Sequence, residues 1–163
     1  MTSFAISNAP RPVLVHSSLV AELMTQKPLA FEKTMPIPKA FALLQFNKLN
    51  AAPVVDEHHR LAGVVTSASC HAWEEFTLRS SSDSLIPRHL DVTPVWEISN
   101  PNVESIHQDA PASDVIDRLV EGRARRMYVV DSDHALVGVV SIADVVRHFI
   151  ESADDSAVLK KSA

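Results

Sequence analysis

Apolar residues in this chain fall into short blocks, and two kinds of spacing alternate. Pro53-Val54-Val55 runs without a polar break until Asp56, and Leu61–Val65 follows after a polar turn. Tyr128-Val129-Val130-Asp131 and Leu136–Val140 repeat that arrangement. Two such blocks around a turn predict a buried β-hairpin, with Asp56 and Asp131 making the turns. Upstream of each hairpin the spacing becomes helical. Ala40, Phe41, Leu43, Leu44 and Leu49 form one apolar stripe, and Val115, Ile116, Leu119 and Val120 form another at i, i+3, i+4 intervals. Pro36 and Pro111 open these helices, since the first turn needs no proline N–H. Pro28–Phe31 and Val103–Ile106 read as a first strand. Cys70–Thr77 and Val145–Ser152 read as a closing helix, the latter carrying Val145, Val146, Phe149 and Ile150.

The two series are copies of one another. Gly138 lies 75 positions after Gly63, and the same offset joins Asp56 to Asp131, Pro36 to Pro111, Leu44 to Leu119, His59 to His134 and Leu61 to Leu136. It extends back to Val20 with Val95 and Glu22 with Glu97. About a dozen identities on one ungapped diagonal define a tandem repeat. The fold class is therefore mixed α/β: two βαββα units, each too small to bury its sheet alone, packed with pseudo-two-fold symmetry. The expected organisation is a flexible N-terminus over 1–13, repeats over 14–79 and 93–153, a Ser-rich connector over 80–92, and a flexible tail over 154–163.

Composition narrows the function classes. The chain has 163 residues, 46% hydrophobic and 21% charged, so it can bury a core without metal or disulfide staples. A formal net charge of −5 argues against a general nucleic-acid binder. Cys70 has no disulfide partner and no zinc-like spacing around it, and reads as a small buried residue. A proline-containing N-terminus and the lack of any long apolar run favour the cytoplasm, with neither signal peptide nor membrane span. The chain holds three glycines, no Walker or GxGxxG loop, no nucleophile motif and no paired acids, so catalytic residues are expected to be none. Gly63 and Gly138 are expected to allow close backbone approach within each hairpin. His58 and His59 are adjacent at a strand edge and point to opposite faces, which suits a surface turn better than a metal site. Trp73 and Trp96 fit either an interface or the core.

The segments APVVD and LAGVVTSAS in the first copy, and MYVVD and LVGVVSIAD in the second, resemble the CBS domain family, as does the leader Glu22-Leu23-Met24-Thr25. The resemblance covers about 130 residues. It implies a tandem pair, often dimeric, whose inter-repeat cleft holds AMP, ADP or ATP and, in some members, S-adenosylmethionine or a dinucleotide such as NAD(H). In that pattern the acid ending Gly-h-h-[Ser/Thr]-x-x-Asp binds the ribose hydroxyls. Gly138–Asp144 matches it, making Asp144 the ribose acceptor with Ser141 beside it; a carboxylate can accept from both hydroxyls of a diol. Arg126 occupies the family's phosphate position, with Arg125 adjacent, and its planar donor fork suits phosphate. The leader implies adenine contacts from Thr25 and the backbone of Lys27, Pro28 and Leu29. The first copy departs at both places, with Ser69 for the acid and Asn50-Ala51 for the arginines, so one competent cleft is expected.

The same residues have plainer readings. Ser141-x-x-Asp144 resembles a capping box at a helix start, a role compatible with ligand binding. Arg123, Arg125 and Arg126 could form a solvated patch at a helix end. Two functions follow: an adenine-nucleotide sensor acting on a partner protein, with S-adenosylmethionine and NAD(H) as lesser candidates, or a ligand-free dimerisation and adaptor module.

Overall fold

A computed structural model describes residues 19–80, 92–122 and 124–150. The expected terminal segments 1–13 and 154–163, most of the connector 80–92, and Arg123 lie outside the described residues.

The first repeat runs α1 (Val20–Leu23), β1 (Thr25–Gln26), β2 (Phe31–Glu32), α2 (Ile37–Phe46), β3 (Ala51–Val55), β4 (Leu61–Thr66) and α3 (Ser67–Ser80). A 3-10 turn over Val95–Ile98 opens the second, followed by β5 (Ser105–His107), α4 (Ala112–Val120), β6 (Arg126–Val130), β7 (Leu136–Ser141) and a helix α5 over 142–150. Both hairpins form as the apolar pattern predicts. Asp56 Oδ1 accepts from the N–H groups of His58 and Arg60, and Asp131 Oδ1 from those of Asp133 and Ala135, so the two acids shape identical turns. Pro36 and Pro111 are N-caps with extended ψ of 138° and 139°, one position earlier than the first-turn placement the sequence suggests.

The leader segments depart from the sequence reading. The sheets have the orders β1-β7-β6-β5 and β2-β3-β4, so β1 of the first repeat completes the sheet of the second. Thr25 pairs with Val139 and Gln26 with Gly138. Of the expected strand over Pro28–Phe31 only Phe31 is paired, and Thr25-Gln26 pairs ahead of that range instead. Lys27, at φ 50°, turns the chain between sheets, and pairing resumes only at Phe31. The second leader crosses back in the symmetric sense: Asn100 exchanges both backbone bonds with Val64. Its strand stops there, because Pro101 stands where Gln26 stands in the first copy and brings no N–H. Val103, whose N–H bonds to Pro101 O, belongs to this turn rather than to the expected strand over Val103–Ile106.

This crossing decides the cores. Val20 and Leu23 pack with Ile106, Ala112, Val115, Leu119, Met127, Val129, Val140 and Val145 of the second repeat. Val95 packs with Phe31, Ile37, Leu44, Val54 and Val65 of the first. Burying a side chain such as Val20 fully contributes about 1.5–3 kcal/mol, which is enough to hold a two-residue strand in place. A third cluster of Val55, Tyr128 and Leu136 joins the repeats. There Leu61 N–H bonds to His134 O and Leu136 N–H to His59 O across the pseudo-two-fold axis.

Three further expectations change. Gly63 and Gly138 do permit close approach, but to the crossing leader: a Cβ at Gly63 would meet Asn100 O at 3.0 Å, and one at Gly138 would overlap the Met24 side chain. Val120 is 68% exposed, because α4 ends there and Ala112, Val115 and Leu119 supply the buried stripe. The closing helices start earlier than expected, at Ser67 and at residue 142, since the Thr66–Ser69 and Ser141–Asp144 turns are already their first turns.

Candidate functional site

Asp144 is the one buried charged side chain among the described residues. It sits in the first turn of α5, directly after β7, where β1 crosses from the other repeat. Its two oxygens have different work. Oδ2 accepts from the Ser141 backbone N–H at 2.9 Å and from Ser141 Oγ, which closes the helix start. Oδ1 faces the leader, accepting from Thr25 Oγ1 at 2.9 Å and from Arg147 Nη1 at 3.1 Å. Burial pushes the carboxyl pKa up, but hydrogen bonds from Ser141, Thr25 and Arg147 outweigh it and hold the group below the usual carboxylate range.

The first repeat isolates the capping half of this arrangement. Ser69 Oγ accepts from the Thr66 N–H at 3.1 Å, and Thr66 Oγ1 accepts from the Ser69 N–H at 3.0 Å. Ser69 Oγ also donates to Thr66 O. Ser69 therefore does what Oδ2 does, and nothing there corresponds to Oδ1.

Of the residues singled out from the sequence, Asp144, Ser141 and Thr25 are in direct contact. Lys27 binds Val137 O through its N–H, Pro28 is half-buried and Leu29 is 39% exposed, so all three continue the crossing leader. Arg126 is the register partner of Ser141, yet its Nη1 reaches the other repeat, lying 3.5 Å from Ala51 O. Arg125 and Arg126 line a cavity of about 390 Å³ with Thr66, Asn50, Asn102 and Tyr128. The expectation that the first-repeat side has no arginines is corrected here: its own Asn50-Ala51 supplies none, and the second repeat supplies two. Sequence reasoning missed Arg147 and Tyr128. The i, i+3 spacing of Asp144 and Arg147 on one helix was the available signal for the first. Tyr128 carried none.

A family model, CBS domain, matches residues 20–70 and 95–151, the two repeats described above. The chain belongs to the CBS domain family. L-aspartate semialdehyde sulfurtransferase of Methanocaldococcus jannaschii is 26% identical to this CBS pair over 139 residues. That match takes in 85% of this chain, which spans only 25% of the enzyme. Among solved structures, Arabidopsis thaliana CBSX2 in complex with AMP superposes with a TM-score of 0.68 at 23% identity, covering 84% of this chain and 99% of that one. CbpB in complex with c-di-AMP gives 0.70 at 14% identity, covering 86% and 89%. Both likenesses concern the fold of the pair.

Among the described residues no helix is long and apolar enough to cross a membrane.

Proposed function

We propose that this CBS pair is a regulatory module that binds an adenine nucleotide (AMP, ADP or ATP) on the Asp144 side of the inter-repeat cleft and transmits binding to a partner protein. The observation that carries the reading is Oδ1 of Asp144, an ionised oxygen beside a strand contributed by the other repeat. A ribose diol arriving there replaces the Thr25 hydroxyl and the Arg147 guanidinium as donors to that oxygen. Solved CBS pairs in complex with AMP and with c-di-AMP support this ligand class. Ser141, Thr25 and the leader around Lys27, Pro28 and Leu29 complete the nucleoside contacts, and Arg125 and Arg126 meet the phosphates. The module acts by binding rather than turnover, and the exposed row Ile142, Val146 and Ile150 on α5 offers a surface for a homodimer.

The test is a thermal-shift panel of AMP, ADP, ATP, S-adenosylmethionine and NADH on wild type and Asp144→Ala. A ligand at about 100 times its dissociation constant adds about 2.7 kcal/mol to the folded state. An adenine-ligand shift abolished by Asp144→Ala supports the sensor. A ligand shift that survives in Asp144→Ala refutes this site, and silence across the panel favours the adaptor reading. That second reading has one observation behind it: Oδ1 is already satisfied by the chain's own donors.

A further inference from the structure

The two repeats are filled differently where each leader crosses the other's sheet. At the offset of 75 positions, Ser99 stands for Met24, Ala62 for Val137 and Trp96 for Ala21. In the second repeat Met24 and Val137 pack on the core, with Met24 directly over Gly138. In the first repeat the two smaller residues border a cavity of about 410 Å³, lined also by Val54 and Pro101. Such a volume lies within the range of small-ligand sites, about 300–1,000 Å³. The cavity shares no lining residue with the one beside Arg125 and Arg126, and Val54 and Ala62 place it toward the Asp56–Arg60 turn.

Trp96 forms a fixed wall of this cavity. Its 3-10 turn is pinned by buried Val95, whose N–H bonds to Met35 O at 2.7 Å, and by the Trp96 N–H on Lys33 O. The Trp96 side chain is nevertheless 57% exposed. Two charged residues reach the lining, and only one of them is compensated. Lys33 Nζ lies 2.8 Å from Glu57 Oε2. Glu97, beside Trp96 in the turn, forms no ion pair among the described residues. The unspent groups are therefore an indole face and a carboxylate. Both attract a cation, and both disfavour an anion.

We propose that this cavity binds a cationic head on an apolar stem, an alkylguanidinium or alkylammonium group. The stem lies against Val54, Ala62 and Pro101, and the head meets the Trp96 indole and the Glu97 carboxylate. Such a group has two sources: a free organic cation, or an arginine or lysine side chain of a partner protein. The inference does not depend on the nucleotide reading.

NMR titration of the full chain tests this, using butylguanidinium, butanol and the peptide acetyl-Ala-Arg-Ala-amide. The chain has two tryptophans, so Trp73 serves as the internal control for the Trp96 indole N–H signal. Butylguanidinium is expected to move the Trp96 signal saturably and leave Trp73 in place, with butanol at least about threefold weaker. Followed on the Ser99 amide, Trp96→Ala should weaken binding about threefold or more. Glu97→Gln, a change at an exposed position, should weaken it about two- to fivefold. Ser99→Met places the second repeat's side chain in the cavity; it should abolish binding and leave the melting temperature level or raised. Peptide binding tighter than butylguanidinium identifies a partner's side chain as the source, and weaker peptide binding identifies a free cation. The proposal is overturned if neither cation moves the Trp96 signal, if butanol matches butylguanidinium, or if Trp73 moves equally. It is also overturned if either Glu97→Gln or Ser99→Met binds as wild type does. A nucleotide panel that stays silent leaves this result standing.

Discussion

Replacing Asp144 by Ala removes an acceptor that joins three separate parts of the chain. Ser141 N–H and Oγ lose their partner at the start of α5, and Thr25 loses its side-chain bond from β1 to that helix. Each of these three bonds is worth about 1 kcal/mol net. The bond to Arg147, whose side chain is 61% exposed, adds at most about 0.5 kcal/mol. The expected loss at neutral pH is therefore about 3–3.5 kcal/mol, or a fall of about 6–14 °C in melting temperature for a chain of this size. The pH dependence gives a sharper test. The folded carboxyl titrates below its unfolded value of about 3.9. Its contribution is complete above that value and is lost as pH falls through the folded pKa. Urea unfolding of wild type and Asp144→Ala at pH 7, 5 and 3 should show a constant gap at the upper two values and a smaller one at pH 3. A gap below about 0.5 kcal/mol at pH 7, or one equally large at pH 3, would refute the role given to this carboxylate.

Gly63→Ala drives a methyl group against Asn100 O, which the backbone must accommodate, so it should cost about 1–3 kcal/mol in urea unfolding. Gly138→Ala meets the flexible Met24 side chain instead and should cost less. If nucleotide binds at Asp144, Arg147→Ala removes a competitor whose exposed ion pair is worth at most about 0.5 kcal/mol, and calorimetry should show affinity rising by up to about twofold. Cys70 is fully buried and its thiol is pushed up to about 11 by burial. A thiol reagent at pH 8 should react with native protein at least about a hundredfold more slowly than with urea-unfolded protein. Val146→Glu places a charge in the exposed row of α5, and light scattering should show less dimer at equal concentration if that face pairs.

Much of this was legible in the residues. The offset of 75 positions gave the repeat, and the apolar runs before Asp56 and Asp131 gave both hairpins, because turn chemistry and strand burial are local matters. The same diagonal exposed the asymmetry between Asp144 and Ser69. Three side chains of the candidate site followed from the motif: Asp144, Ser141 and Thr25 do meet. Arg147 was within reach of the helical i, i+3 rule and went unread.

What the sequence could not settle was partner choice. Local pattern shows that Thr25 and Gln26 can extend, but not which sheet they join. That depends on Lys27 adopting a positive φ and on Val20 and Leu23 fitting the core of the second repeat, both set by packing at a distance of more than 80 residues. The same crossing explains why Gly138 and Gly63 must lack a side chain, since the neighbours they accommodate come from elsewhere in the chain. It also explains why the arginines of the second repeat line a cavity on the first. Composition and periodicity fixed the elements because those rest on each residue's own conformational and solvation preferences. The tertiary structure alone decided the clefts, because a cleft between repeats is made of contacts that no local preference encodes.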